Sequence, residues 1–529
     1  MSDAGSGRER SRNGSRSGVN SGHVVRGGRP SSTGKPNYSR GGAGPRTAGR
    51  NEAGPSRNAM RVDPVRRAVF DALTAVSSRD AYANLVLPKL LRDRGICGRD
   101  AAFATELTYG TLRLRGTLDV IVVAASSRPL AEIDPRVLEM LRMGAYQLLY
   151  TRVPAHAAVD ATVGVAKVAL TDGPARFVNA VLRRVAEHDQ THWLAAVLPD
   201  RERDPVAHLA VRYSHPEWIV RALADVLGES GTEVSGTEVG GTQLAETEAA
   251  LAANNERPAV SLLARPGRID RDALAAQVSG HAGALSPYAV TLTGGGDPGS
   301  FPAITQAQAL VQDEGSQLVA LALAAAPIEG VDSSWLDMCA GPGGKAALLA
   351  GLATQHAAQL TAVEVTEHRV KLVEQALDGT SSVVLHADAR EVGRHSQLTE
   401  SSFDRVLVDA PCTGLGALRR RPEARWRKQP GDIPALSKLQ RELLAAAARA
   451  VRPGGVICYA TCSPHVAETK VAIADAVRRH NLVLLDAPAL LRAVTGDVEL
   501  NSGEGKTAQL WPHRYGTDAM FIALLRRVS

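Results

Sequence analysis

The sequence predicts an α/β protein whose C-terminal part folds as a doubly wound, mainly parallel sheet. From about Ser334 onward, short apolar runs alternate with stretches of helical periodicity, which is typical of consecutive βαβ units. Before that point the periodicity is helical over residues 60–190 and mixed over residues 191–300. We therefore predict an all-α domain over 60–190, a small α/β linker domain over 191–300 and the sheet domain over 301–529.

Residues 1–59 precede these domains and are predicted to be disordered. They contain ten Arg and one Lys against three acidic residues, and almost no large apolar side chains. Such a segment cannot bury enough surface to offset the entropy of ordering. The positive excess behind the formal net charge of +6 lies here. A solubilising tail and a non-specific RNA tether are equally consistent with this composition.

The all-α prediction for residues 60–190 rests on apolar residues spaced three and four positions apart. One such series begins at Val65 and another at Val137. This spacing places the apolar side chains on one face of a helix. Within residues 191–300, the stretch 228–245 contains the unit Gly-Thr-Glu-Val twice. We predict a loop insertion there and assign it no function.

The candidate strands of the sheet domain are short runs of apolar and β-branched residues. They are Trp335–Met338, Leu360–Val365, Val383–His386, Arg405–Val408, Val456–Ala460, Leu482–Leu485 and Met520–Leu525. Candidate helices between them are Ala346–Gln355, Glu367–Leu377 and Leu436–Val451. The last strand is predicted to add antiparallel at the edge of the sheet.

A glycine-rich turn joins the first predicted strand to a helix and predicts a ligand site. It reads Asp337-Met338-Cys339-Ala340-Gly341-Pro342-Gly343-Gly344-Lys345. Glycines allow close backbone approach, and a helix start offers free N–H groups. A P-loop would need Gly at 339 and Ser or Thr at 346, where Cys339 and Ala346 stand, and the dinucleotide pattern G-x-G-x-x-G is not met. The turn therefore favours the methionine carboxylate of S-adenosylmethionine.

Two acidic residues lie at the ends of the next two predicted strands. Glu364 lies about twenty residues after the turn, where a carboxylate can bind both ribose hydroxyls of a nucleoside. Asp388 is suited to an adenine amino group. A single acid at a strand end is usually only solvated, but two on successive strand ends favour a nucleoside site.

Two cysteines, Cys412 and Cys462, stand just beyond the fourth and fifth predicted strands. Parallel strands place their carboxyl ends at one ligand-binding edge. C5 of cytosine becomes nucleophilic only after a thiolate adds at C6, and Lys345 is the candidate cation that would help to ionise the thiol. Asp409 would hydrogen-bond the N3 and N4 edge of the ring. The residues alone do not say which cysteine is the nucleophile.

The remaining composition argues against a metal site, a membrane protein or a secreted protein. The five cysteines form no C-x-x-C pair, and no histidine cluster has zinc-ligand spacing, so we predict no metal. No run of about 18 apolar residues and no secretory leader is present. We expect a monomeric, cytoplasmic protein that contacts no membrane.

A basic segment follows Cys412 and is predicted to bind RNA. It runs from Arg419 to Lys428 and contains Trp426. Charged runs are often only solvated, but a position directly after an active cysteine favours phosphate binding and base stacking. His513 and Arg514 are predicted to extend this surface.

Four motifs together resemble the Sun/RsmB (Fmu) family of RNA cytosine-C5 methyltransferases. They are DMCAGPGGK from Asp337, DAPCTGLGALRRRPEARW from Asp409, YATCS from Tyr459 and QLWPHRYGTDAMF from Gln509. The helical part resembles a NusB-like RNA-binding domain in the segments Arg99–Phe103, Leu141–Gln147 and Ala175–Arg184. This pairing is typical of the branch of the family that modifies small-subunit ribosomal RNA.

The resemblance implies a Rossmann-like methyltransferase domain and a role for each site residue. S-adenosylmethionine would contact residues 339–345, Glu364, Asp388 and Asp409. Cys462 would be the nucleophile, and Cys412 would release the product. The substrate would be 16S rRNA, either free or in an early small-subunit particle. Position 364 is Glu where the family often has Asp, and Glu can still bind a ribose diol.

Two alternative functions remain open at this point. The helical domain alone would suit a non-catalytic, NusB-like antitermination factor, but such a factor would not need the cofactor turn and both thiols. The same chemistry could also methylate cytosine in tRNA. An amino-group methyltransferase would show Asn or Asp, Pro, Pro and an aromatic residue after the fourth strand, where Asp409-Ala410-Pro411-Cys412 stands.

Overall fold

The fold is described by a computed structural model over residues 62–229, 241–294, 296–496, 500 and 505–528. The predicted disordered segment 1–59 and positions 230–240 of the predicted insertion lie outside these residues. The ends of that insertion are helical rather than loop.

Eight helices form the N-terminal part of the described chain, as predicted. They are α1 (Pro64–Ser78), α2 (Ala83–Asp93), α3 (Gly98–Arg113), α4 (Arg115–Ser126), α5 (Pro135–Tyr150), α6 (Ala155–Ala169), α7 (Asp172–Val185) and α8 (Gln190–Val197). Asp63 caps α1 by accepting hydrogen bonds from the backbone N–H groups of Val65 and Arg66, and Pro64 opens the helix. This combination satisfies N–H groups that have no partner inside the helix. Apolar side chains of these helices form one continuous core.

Five helices and a small antiparallel sheet of four strands follow. They are α9 (Pro205–Arg212), α10 (Glu217–Glu229), α11 (Gly241–Ala253), β1 (Ser261–Ala264), α12 (Arg271–Val278), β2 (Gly280–Ala282), β3 (Ala289–Leu292), α13 (Pro302–Thr305) and β4 (Ala309–Val311). The order of the small sheet is β2-β3-β1-β4. Because its fourth strand ends at Val311, a domain boundary at residue 300 would cut through this sheet.

The C-terminal part is a large sheet with helices on both faces. Its elements are α14 (Glu314–Ala325), β5 (Ser334–Asp337), α15 (Gly344–Gln355), β6 (Gln359–Glu364), α16 (Glu367–Leu377), β7 (Val383–His386), β8 (Phe403–Asp409), α17 (Ile433–Ala450), β9 (Val451–Thr461), α18 (Lys470–Arg479), β10 (Leu482–Leu484), α19 (Ala487–Thr495), β11 (Ala508–Gln509), α20 (Pro512–Tyr515) and β12 (Phe521–Arg527). Side chains of successive residues point to opposite faces, so Trp335 joins the core under α14 and α15, whereas Leu336 joins the core under α17.

The strand order of the large sheet is β10-β12-β9-β8-β5-β6-β7, and β11 pairs with β12. The five strands from β9 to β7 are parallel. The prediction that the last strand lies at the edge was wrong. Strand β12 is antiparallel but inserts between β9 and β10, and β10 forms the edge. The insertion covers the outer side of β9, the strand that leads to Cys462.

No helix within the described ranges is long and apolar enough to cross a membrane. These ranges belong to one compact unit of the chain, residues 60–529.

Candidate active site

The predicted site residues come together at the carboxyl edge of the parallel strands. Strand β5 ends at Asp337, β6 at Glu364 and β8 at Asp409, and Cys462 directly follows β9. Five neighbouring parallel strands end on the same side of a sheet, where open α/β folds hold their ligands. The carboxylates and thiols therefore lie together at the edge of the sheet where a ligand would bind.

The two cysteines touch each other. The Sγ atoms of Cys412 and Cys462 are 3.4 Å apart, and both side chains are half-buried. The cysteines follow β8 and β9, which pair in parallel. Their proximity therefore follows directly from the strand order.

The pKa shifts of the two thiols have opposite directions. The hydrogen bond from Cys412 lowers the pKa of Cys462; Lys345 helps, while burial and Asp409 oppose this shift. The same hydrogen bond, followed by burial, raises the pKa of Cys412 well above its usual value. Either sulfur could donate in this contact; the directions of the two pKa shifts favour Cys412 as the thiol and Cys462 as the thiolate. Thiolate character is what a sulfur nucleophile needs.

Lys345 and Asp409 form an ion pair beside the thiols. The Lys345 Nζ is 2.9 Å from Asp409 Oδ2 and also donates to Ser316 Oγ at 3.3 Å. Burial acts to lower the pKa of Lys345, but the charges of Asp409 and Cys462 outweigh it, so the pKa is raised. Lys345 thus stays cationic where it stabilises a Cys462 anion.

The turn from Cys339 to Lys345 needs glycine at two positions. A Cβ on Gly341 would lie 2.2 Å from Glu364 Oε2, and one on Gly343 would lie 2.6 Å from the Ala376 Cβ. Gly343 also has φ of +108°, which L side chains rarely adopt. Ala340 is buried and Pro342 is exposed, so this short turn presents its backbone at the strand edge. The helix α15 begins at Gly344.

Glu364 and Asp388 differ in the hydrogen-bond partners that they already have within the protein. Glu364 accepts the N–H of Gly341 at 3.1 Å and the N–H of Thr366 at 2.8 Å, one on each oxygen, so each oxygen keeps a lone pair for a hydroxyl donor. Asp388 binds the Arg390 guanidinium through both oxygens, and this hydrogen bonding lowers the pKa of Asp388. A ligand amine would have to share Asp388 with Arg390.

Asp337 is a site carboxyl that the sequence analysis did not single out. It is fully buried, its Oδ1 accepts the N–H of Cys339 at 3.2 Å, and its Oδ2 has no partner in the described chain. Burial and the charge of Asp409 raise the pKa of Asp337 to about 7. Its place at the end of β5, one step from the glycine-rich turn, is the signal that could have identified it.

The other three cysteines stand apart from this pair. Cys97 is exposed at the start of α3. Cys458 is buried within β9 and directs its Sγ toward the Val319 carbonyl oxygen at 3.7 Å. Burial raises the pKa of Cys339 well above its usual value. Among the residues that the structure covers, no group of three or more His, Cys, Asp or Glu side chains is arranged to hold a metal.

Most arginines of the segment after Cys412, which is predicted to bind RNA, have partners within the protein. Arg419 and Arg420 both pair with Asp518, at 2.9 and 3.0 Å, and with Asp313, at 3.3 and 2.6 Å. Arg427 donates to the carbonyl oxygens of residues 76 and 81. These groups are already used inside the protein.

Arg425 is the most deeply buried member of this segment. Its guanidinium donates to Arg113 O at 2.9 Å, Ser214 O at 3.1 Å, Asn254 O at 2.7 Å and Asn255 Oδ1 at 2.8 Å. Burial lowers the pKa of Arg425 to about 9, so it remains charged at neutral pH. It ties the end of α3 and the loops after α9 and α11 to the cysteine loop.

His513 and Arg514, the predicted extension of this RNA surface, also have a partner within the protein. The His513 Nε2 and the Arg514 Nη2 each lie 2.9 Å from Glu246 Oε2, on α11. Trp426 packs against Gly116 and carries the Arg115 guanidinium over its ring. These side chains join the catalytic part to the preceding helices.

Two family descriptions match separate parts of the chain. Residues 322–526 match 16S rRNA methyltransferase RsmB/F, and residues 63–187 match the NusB family. Among related proteins, Rv1407 of Mycobacterium tuberculosis, named as a methyltransferase, is 55% identical over 90% of this chain and 99% of its own length. Ribosomal RNA small subunit methyltransferase B of Pseudomonas putida is 36% identical over 75% of this chain and 85% of its own length.

A solved structure supports the architecture. The crystal structure of PH0851 aligns with a TM-score of 0.71 over 88% of this chain and 98% of that protein, at 21% sequence identity. At this identity the likeness concerns the fold. Together with the family matches and the relatives, it leads to one conclusion: the chain belongs to the RsmB/F family of S-adenosylmethionine-dependent rRNA methyltransferases.

Proposed function

We propose that the protein methylates C5 of a specific cytosine in 16S rRNA through a covalent bond between Cys462 and C6. The observation that carries this proposal is the 3.4 Å contact between two thiols at the strand edge. Cytosine is inert at C5 until a nucleophile adds at C6. A thiol pair with one donor and one anion offers a nucleophile and a group that assists its departure.

In this reaction Cys462 attacks C6, and the ring becomes an enamine that is nucleophilic at C5. Lys345 stabilises the sulfur anion before attack, and Asp409 accepts hydrogen bonds from the N4 amino group and from the N3–H of the protonated base. The Asp409 carboxylate is still partly exposed beside its ion pair with Lys345, so it can meet the substrate. S-adenosylmethionine supplies the electrophilic methyl group when it is bound.

Release of the product requires loss of the C5 proton to a base and cleavage of the C6–S bond. The electrons of that bond return to the Cys462 sulfur. In the proposed roles, Cys412 donates its hydrogen bond to this sulfur, and the same bond stabilises the departing thiolate. This role gives a physical reason for a second cysteine and for the 3.4 Å distance between the two Sγ atoms.

The residues at the edge fit S-adenosylmethionine. The cradle between Gly341 and Glu364 has no room for a Cβ, so the backbone of residues 339–345 can approach a ligand closely. Glu364 would bind the ribose hydroxyls, and Asp388 would bind the adenine amino group. Asp337 and Asp409 add negative charge suited to a cationic ligand.

The substrate proposal rests on relatives named for ribosomal RNA small subunit methylation and on the NusB match in the helical part. We further propose that the protein acts as a cytoplasmic monomer on free rRNA or an early small-subunit particle.

Tritium release tests the site of methylation. Small-subunit rRNA carrying tritium at C5 of cytosine should lose one tritium to water for each methyl group that it gains, because C5 substitution replaces that hydrogen. Matched tRNA carrying the same label should show neither release nor methylation. Methyl transfer to rRNA without tritium release would show that another atom is methylated.

The affinity for S-adenosylmethionine should depend on pH through Asp337. Because the pKa of Asp337 is raised to about 7, this carboxyl is mostly protonated below pH 7 and mostly anionic above it. A cationic ligand favours the anion, so affinity should rise with pH and then level off above about pH 8. We expect roughly a tenfold weaker binding at pH 6 than at pH 8, by calorimetric titration.

The matched variant is Asp337→Asn, in which this part of the pH dependence should vanish. The ligand's own amino group titrates equally with both proteins, so only the difference between the two curves is attributed to Asp337. Asp272→Asn, at an exposed position, should follow the wild-type curve. If the Asp337→Asn and wild-type proteins show the same dependence of S-adenosylmethionine affinity on pH, Asp337 does not contribute to binding.

A further inference from the structure

A buried polar cluster lies directly behind the two cysteines. Its members are fully or almost fully buried side chains from three segments: Thr413, Gln440, Ser463 and Glu468. Thr413 follows Cys412, and Ser463 follows Cys462. The cluster therefore adjoins both thiols through the chain itself.

Glu468 is the centre of this cluster. Its Oε1 accepts the N–H of Thr413 at 2.9 Å and the Gln440 Nε2 at 3.1 Å, and its Oε2 accepts the Thr413 hydroxyl. The Thr413 and Ser463 hydroxyl oxygens are 2.9 Å apart. Since Thr413 gives its proton to Glu468, Ser463 must donate to Thr413.

The cluster holds the Cys412 loop from both sides. Gln440 also donates to the Pro411 carbonyl oxygen at 2.9 Å, immediately before Cys412. The Tyr459 hydroxyl donates to the backbone carbonyl of Glu468 at 2.8 Å, which fixes Glu468 against β9. One carboxylate thus connects the loop of one cysteine with the strand and loop of the other.

A buried carboxylate at this position is energetically unfavourable. The three groups that donate hydrogen bonds to it, one backbone N–H and two side-chain groups, are neutral, and burying a charge without a cation is unfavourable. An amide could make a comparable set of hydrogen bonds. Holding the two loops together therefore does not by itself explain why the residue is negatively charged.

The charge acts on the thiol pair. The hydrogen bond to Cys462 and burial are the main causes of the raised pKa of Cys412, and the charges of Cys462, Glu468 and Asp409 raise it further. Lys345 faces the other thiol and lowers the pKa of Cys462. The anionic Glu468 behind Cys412 and the cationic Lys345 beside Cys462 both favour Cys412 as the protonated thiol and Cys462 as the thiolate.

We propose that Glu468 is a positioning residue that keeps Cys412 as the hydrogen-bond donor and Cys462 as the nucleophilic anion. This inference rests on the proposed covalent function. Glu468 does not touch the reacting atoms and acts through Thr413 and Ser463. Its contribution is to set which of two adjacent thiols is ionised.

Glu468→Gln tests the proposal because it removes the charge and can keep the hydrogen bonds. Wild-type protein at pH 7 should be alkylated by iodoacetamide at Cys462 well before Cys412, as followed by peptide mass spectrometry. In Glu468→Gln this preference should fall about tenfold, since each pKa unit changes the thiolate fraction tenfold. Turnover should fall by a similar factor or more, with S-adenosylmethionine affinity unchanged.

Glu217→Gln, an exposed carboxylate on α10, is the matched control and should leave both readouts unchanged. If Glu468→Gln fails to fold, Ser463→Ala removes the link to the second loop and should weaken the same alkylation preference. Lower turnover with an unchanged alkylation preference would overturn the proposal, because a merely structural role predicts that result. Wild-type turnover and preference would overturn it as well.

Failure of the inference is distinguishable from failure of the proposed function. If Cys462→Ala is inactive while Glu468→Gln behaves as wild type, only the role of Glu468 is refuted. If Cys462→Ala still methylates RNA, the covalent function itself is refuted.

Discussion

Cys462→Ala should abolish methyl transfer, with a loss of at least about 10⁴-fold in turnover. Without a sulfur at the end of β9, nothing adds to C6, and C5 of cytosine remains unreactive. Transfer of a radioactive methyl group to small-subunit rRNA measures the loss. Binding of S-adenosylmethionine should persist, because the glycine-rich turn and Glu364 lie on other strands.

Cys412→Ala should give the opposite phenotype, a protein that remains covalently attached to RNA. Cys462 can still attack and the methyl group can still be transferred, but the departing sulfur loses the hydrogen bond that now spans 3.4 Å. The product is a slowly migrating protein–RNA band on a denaturing gel. Cys97→Ala, at an exposed position on another domain, should leave both assays unchanged.

The two variants must also be compared with each other. A stable adduct with Cys462→Ala, and none with Cys412→Ala, would reverse the assigned roles. If both variants lose methyl transfer and neither forms an adduct with RNA, Cys412 does not have the proposed role in product release.

Arg425→Met should strongly destabilise the folded protein. It leaves three backbone carbonyl oxygens buried without their donor, from Arg113, Ser214 and Asn254. Each unsatisfied group costs about 1–3 kcal/mol, so we expect a loss of about 3–5 kcal/mol in the free energy of unfolding. Urea denaturation followed by circular dichroism measures it.

Arg421→Met is the control for Arg425→Met, because Arg421 lies in the same segment but is exposed. Its cation–π contact with Tyr82 is at the surface and is worth less than about 1 kcal/mol. Equal unfolding midpoints for Arg425→Met and wild type would mean that the junction is not held by this guanidinium.

The sequence was sufficient to predict that Cys412 and Cys462 lie at one edge of the sheet. The strands predicted before Glu364, Cys412 and Cys462 are present, because each is a short apolar run bounded by a turn. Adjacent parallel strands bring their ends together by geometry alone. The proximity of Cys412 to Cys462 therefore needed no long-range information.

The basic segment after Cys412 could not be interpreted from its composition. An arginine in solvent and an arginine such as Arg425 look alike in sequence. The difference lies in the carbonyl oxygens of Arg113, Ser214 and Asn254, which are more than 170 positions away. Similarly, the position of β12 inside the sheet depends on pairing with both β9 and β10, which its own residues do not encode.

The pairing of β5 with β8 divides the sheet into two functional halves. The strands β5, β6 and β7 lie on one side of this junction, and β8 and β9, with both cysteines, lie on the other. In the proposed function, Glu364 and Asp388, which would bind the nucleoside of the alkyl donor, thus lie on strands other than the two that lead to the cysteines. We expect that Glu364 or Asp388 could be redesigned to accept sulfonium donors with an altered nucleoside. Such an orthogonal enzyme would keep its choice of base and could label its natural target selectively.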